Sequence, residues 1–143
     1  MTNAADGIGQ LVRLGEYKRQ FESEGFTIGE WRCGEEVSPG VRQMPWFDYS
    51  DAVIAFIEYC YKDGWVLTDF SWGVWKRTTE AIDLARDPAK LACASAEQLA
   101  KLLTVIIRQD RFNEGSLACH CKSGLLLAIL RRARVLGNGA GDQ

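Results

Sequence analysis

The sequence has a single histidine, no uninterrupted apolar run longer than Leu125–Leu130, and no basic or apolar leader in its first residues. Each shortage excludes something. A membrane helix needs about 20 consecutive apolar residues, so no membrane partner is expected. Without a positively charged start and an apolar stretch behind it, the N-terminus does not read as an export signal, and a cytoplasmic location is expected. No Gly-rich phosphate loop, Ser-His-Asp order or paired carboxylates are spelled. No catalytic residue and no cofactor can therefore be named from motifs, and the chain reads as a non-enzyme.

The five cysteines, Cys33, Cys60, Cys93, Cys119 and Cys121, are odd in number and show no framework spacing. In an unexported chain such thiols are expected to be free. Cys119-His120-Cys121 contains the only histidine. It lacks the second ligand pair that structural zinc requires, so no metal is expected. Neighbours on a helix also point about 100° apart, so His120 cannot serve either adjoining thiol as a base. The expectation is two small buried cysteines flanking a surface histidine.

What is present suits one soluble domain. With 143 residues, 47% of them hydrophobic and 25% charged, the chain needs no metal or disulfide to fold. From Lys101 onward basic residues outnumber acidic ones, whereas the part before it is net acidic. That split marks either a basic face for an anionic partner or charges that pair across the fold.

Apolar spacing predicts helices. Ile8, Leu11, Leu14, Tyr17 and Phe21 line one face of a first helix that ends before Gly25. Phe26 to Met44, with Pro39-Gly40 as a turn signal, reads as an irregular loop or hairpin. Ser50 caps a helix that Gly64 ends. Trp72, Trp75, Thr79 and Ile82 predict one long helix from near Asp69 or Ser71 to Asp87-Pro88. Ser95 and Gln98 form a capping box ahead of Leu99, Leu102, Leu103 and Ile106. Gly115 stops that helix, Ser116 can cap a short one through Cys119, and Ser123-Gly124 can begin the last. Leu125–Leu130 has no polar side chain, which predicts burial on all sides. The fold class is thus mainly α: a single-domain helical bundle of about five helices over residues 1–136, with a short irregular or hairpin insertion at 26–44. Residues 137–143 read as a disordered tail.

Three groups are candidates for binding. Trp31 and Trp46 lie on irregular segments and are either core or exposed anchors, because tryptophan is common in binding hot spots. Arg108, Arg111 and Glu114 are either an anion-binding or small catalytic cluster, or a surface ion pair of Arg111 with Glu114. Arg131, Arg132 and Arg134 either touch nucleic acid or mark where the last helix reaches solvent.

The residues from Met44 to Val135 resemble an uncharacterised family of small bacterial proteins, a domain of unknown function whose members include proteins of mobile elements. Arg108-Gln109-Asp110-Arg111-Phe112-Asn113-Glu114-Gly115, Ser123-Gly124 and Ala128-Ile129-Leu130-Arg131-Arg132 carry the resemblance. The chain departs from that pattern at Asn113, where cysteine is frequent, and at Ser116 and Leu125, where histidine is. The resemblance implies the fold and no activity.

The leading functional expectation is a non-enzymatic protein-interaction factor. Its narrower form is a mobile-element-encoded inhibitor of a bacterial defence complex, of the anti-CRISPR kind, acting by stoichiometric binding to another protein or protein complex. The alternatives are a nucleic-acid-binding accessory protein using the basic C-terminal face, and a small enzyme centred on Arg111 and Glu114.

Overall fold

The structure is a computed structural model that describes residues 4–139. The first helix, α1 (Ala4–Glu22), lies antiparallel to the last, α8 (Leu125–Gly139). Their backbones meet closely where Gly15 faces Arg134 and Gly137 faces Val12. Between them in sequence come four short strands and six helices. The strands are β1 (Gly29–Arg32), β2 (Glu36–Ser38), β3 (Val41–Arg42) and β4 (Trp46–Tyr49). The helices are α2 (Asp51–Lys62), α3 (Trp72–Trp75), α4 (Thr79–Arg86), α5 (Pro88–Leu91), α6 (Ala96–Asp110) and α7 (Ser116–Ser123). The fold is mainly helical, but the described residues form eight helices rather than about five.

One core joins the aromatic and aliphatic halves. Leu14, Val53 and Phe56 are fully buried together with Leu99, Leu103, Leu117, Ile129 and Leu130. Around Phe56, Tyr17 and Phe21 pack edge-on, each with its ring centroid 5.1 Å away. The capping box at Ser95 and Gln98 is formed, and it orients α6 so that Leu99, Leu102, Leu103 and Ile106 face this core. Ser50 caps α2 by accepting the Val53 N–H.

Five expectations need correction. Gly115 does not stop α6, which ends at Asp110 with Arg111 as its cap; Gly115 is the left-handed residue that opens α7. The helix predicted from Trp72 through Ile82 is two helices, α3 and α4. Thr78 donates its hydroxyl to the Trp75 carbonyl and accepts the Ala81 N–H, so a local cap replaces a helical turn. Ile82 consequently stays 40% exposed. The insertion extends past Met44, because β4 carries the ladder through Tyr49: β1 pairs with β4 and β2 with β3, both antiparallel. Leu125–Leu130 is not buried all round. Leu126, Ile129 and Leu130 are in the core, whereas Leu125, Leu127 and Ala128 are half-buried. Finally, α8 continues to Gly139, into the stretch read as a tail; residues 140–143 lie outside the described residues. Among the described residues no helix is long and apolar enough to cross a membrane.

Candidate functional site

The corner between α6 and α7 is built to hold the β1–β4 ribbon. Gly115 turns the chain at φ +85 and leaves α7 without a side-chain cap of its own. The first-turn N–H groups of α7, which have no partner inside a helix, find theirs elsewhere. Ser116 donates to the Asn113 carbonyl at 3.0 Å. Leu117 donates to Asp110 Oδ1 at 3.1 Å, and Ala118 to the Tyr49 hydroxyl at 3.2 Å. The Tyr49 hydroxyl in turn donates to Asp110 Oδ1 at 2.6 Å, so its donor and one acceptor position are both used. Burial, with the Asp110 carboxylate second, pushes the Tyr49 phenol well above its usual 10.0.

Phe47 and Tyr49 share the inward face of β4, and Trp46 and Asp48 the outward face. The Phe47 N–H points away from β1 and is met by Glu114 Oε2 at 3.0 Å. Opposite Phe47 in the register stands Trp31, whose ring meets it edge-on at 5.4 Å. The same indole lies over Gly115, where an added Cβ would come within 2.7 Å of it. Asp110, Glu114 and Gly115 therefore each contact the ribbon or the tyrosine beneath it. Between ribbon and α7 a cleft of about 360 Å³ is lined by Trp31, Phe47, Gln109, Glu114, Ser116 and His120, among others. Burial lowers the His120 pKa from its ordinary 6.5, which favours the neutral imidazole.

The sequence candidates separate on this frame. Arg111 is exposed and, among the described residues, makes no ion pair with Glu114, whose carboxylate is taken by the Phe47 N–H; the ion pair expected there is not formed. Arg108 is half-buried one helical turn earlier. Trp31 and Trp46 are 54% and 42% exposed, but they project from opposite faces of the ribbon. Trp46 lies on the solvent side, next to an ion-pair ladder in which Arg32 bridges Glu30 and Asp48. On α8, Arg131 is exposed, Arg132 donates to the Ala94 carbonyl at 2.8 Å, and the Arg134 backbone packs against Gly15. The expected arrangement of Cys119 to Cys121 is also corrected. Cys119 is exposed, Cys121 is half-buried with its thiol pushed up to about 12, and His120 is half-buried between them. The first turn of α7 points Cys119 outward because Leu117 and Ala118 take the core side. Ser116 is not a cap but the first helical residue, and its buried hydroxyl is unpartnered.

No motif marks Asp110, Tyr49, Phe47 or Gln109 as site residues. The alternation of Trp46-Phe47-Asp48-Tyr49 was the available signal for a strand with one buried face. Among the described residues no group of three His, Cys, Asp or Glu side chains is placed to hold a metal ion.

A family model described as a family of unknown function, DUF6508, matches residues 9–139. The chain belongs to DUF6508. The match takes in every element from β1 to α8, so the ribbon and its corner are both part of the DUF6508 domain. No curated protein and no solved structure matches the chain.

Proposed function

We propose that this DUF6508 protein is a binding protein that presents its strand segment to a protein partner. One observation carries the reading: Trp31, Val37, Val41, Met44 and Trp46 are 54%, 60%, 51%, 84% and 42% exposed within a single short segment. Large apolar side chains exposed on a surface commonly mark an interaction site, and here Trp46 stands on the outward face of the ribbon and Trp31 on the inward one. The β1–β4 part of the segment is also anchored to the bundle by the Glu114–Phe47 and Asp110–Tyr49 bonds, so Trp31 and Trp46 are presented in a fixed orientation. A fixed surface loses less entropy on binding. The ribbon's outward face adds the Arg32 ladder beside Trp46, a polar rim next to an aromatic anchor. The narrower proposal, inhibition of a defence complex, comes from the mobile-element setting of proteins the chain resembles and requires the same stoichiometric mode of action.

The test is a titration of the partner recovered by affinity capture. Binding should saturate at about one chain per partner site, with no turnover. Trp46→Ala should weaken binding by about thirtyfold, the usual size of a hot-spot loss of about 2 kcal/mol, with the melting temperature unchanged. Modification of many partner copies by a substoichiometric amount of the protein would overturn the reading in favour of an enzyme. Unaltered affinity in both Trp46→Ala and Met44→Asp would move the interface off the strand segment.

A further inference from the structure

The cleft between ribbon and α7 gathers unspent hydrogen-bonding capacity beside an aromatic ring. Ser116 on its wall is only 8% exposed, and its Oγ has no partner. A buried hydroxyl is costly to leave unpaired, so such an atom calls for an explanation. Gln109 and His120, both half-buried on the same wall, make no side-chain hydrogen bond among the described residues. The wall thus offers an amide with donors and an acceptor and a largely neutral imidazole with one of each, above the buried Ser116 hydroxyl. Trp31, half exposed at the mouth, supplies a ring surface.

The chemistry narrows by elimination. A helix start is a ready anion site when its N–H groups are free. Here those of Ser116, Leu117 and Ala118 are already spent on Asn113, Asp110 and Tyr49. On the same lining the Glu114 carboxylate repels an anion and Lys122 attracts one, so the lining's charges do not favour an anion either. Phosphate and free carboxylates are therefore disfavoured at the floor. A volume of about 360 Å³ is near the lower end of ligand pockets, which suits one ring system rather than a polymer. Paired donors and acceptors beside an indole match a flat heteroaromatic with alternating polar edges. Every nucleobase combines a π-face with such an edge.

We infer that this cleft binds a nucleobase, stacked on Trp31 and hydrogen-bonded along its edge by Gln109 and His120. The base belongs either to a free nucleoside or to an unpaired position in a single strand.

Isothermal titration calorimetry of the full chain with adenosine, guanosine, cytidine and uridine tests this, with glucose and a short single-stranded oligonucleotide as further arms. At least one nucleoside should saturate at one per chain. Trp31→Ala should raise its Kd about fivefold or more, the smallest effect expected from losing a stacked base. Because Trp31 also packs the ribbon, Gln109→Ala provides the second variant; it should raise the Kd while leaving the melting temperature unchanged. Tighter binding of the oligonucleotide, with the excess removed by Lys122→Ala at the rim, would assign the base to a strand. Equal affinity would assign it to a free nucleoside. The inference fails if neither nucleosides nor the oligonucleotide bind at millimolar concentration. It also fails if glucose binds as well as the best nucleoside, or if binding ignores both Trp31→Ala and Gln109→Ala.

Discussion

Gly115 shows how a single position can couple the helical bundle to the ribbon. Its φ of +85 is cheap only without a Cβ, and the space a Cβ would need is taken by the Trp31 ring at 2.7 Å. Two penalties are therefore expected for Gly115→Ala, one from the backbone and one from the indole. Holding a non-glycine residue in this region costs roughly 1–3 kcal/mol. Urea denaturation should show a loss of at least that size. The steric share is separable: in a Trp31→Ala background the same substitution should cost less, and the difference is the coupling of the two residues. Full stability of Gly115→Ala would mean that the corner is not the joint described. Glu114 carries a related lesson. Its spacing from Arg111 suggests an ion pair, yet a backbone N–H that would otherwise lie unpaired at the edge of β4 is the partner it takes.

At the scale of elements, what depends on neighbours in sequence was legible and what depends on distant partners was not. The capping box of α6, the Ser50 cap of α2 and the apolar face of α1 are local and readable, save that Ile8, expected on that face, is 42% exposed. The split of α3 from α4 turned on competition between the Thr78 cap and a continuous helical spacing, which the pattern alone does not decide. β4 carries a local signal in the alternation Trp46-Phe47-Asp48-Tyr49, but its pairing with β1, which sets Phe47 against Trp31, arises only through the fold. The Tyr49–Asp110 bond at the candidate site spans 61 residues and had no local signature. The α1–α8 pair offers a test in which two effects of opposite sign compete. Alanine is normally better than glycine inside a helix by about 1 kcal/mol. At Gly7, where nothing lies within 4 Å of an added Cβ, Gly7→Ala should stabilise by up to about that amount. At Gly15 an added Cβ would meet the Arg134 Cα at 2.8 Å, so the helix gain should be outweighed and Gly15→Ala should destabilise. Melting curves of the two variants that shift in the same direction would refute the close approach of α1 and α8.

For the whole molecule, the perturbed groups define a window of pH in which folding is most favourable. His120 is held below its ordinary 6.5 by burial, so on acidification the unfolded chain takes up that proton first. Stability should therefore fall as pH drops through about 6.5 toward the lower folded value. Asp63 adds a second acid step. Its carboxylate sits below the usual 3.8, chiefly through the two hydrogen bonds from Arg13 at 2.9 Å and then through the Tyr59 hydroxyl at 2.7 Å. The support it gives is present above the ordinary carboxylate range and is lost as pH falls through the folded value. At the alkaline end Tyr49 and Tyr59 are both raised above 10.0, first by burial and then by Asp110 and Asp63 respectively. Burial likewise raises Cys60 and Cys121 from 9.0. The unfolded chain therefore loses protons before the folded one does, and stability should decline as pH rises through about 9 and then 10. Thermal unfolding followed across pH should thus give a plateau between about pH 7 and pH 9 with a shoulder on each side. Each flank has its own variant. His120→Gln should flatten the decline that begins near pH 6.5 and leave the alkaline flank intact. Tyr49→Phe should lower the plateau, since Asp110 and the Ala118 N–H lose a partner, and should also soften the alkaline decline. If His120→Gln leaves the acid flank unchanged, the imidazole is not buried in the way described. The cleft beside it would then have a different wall.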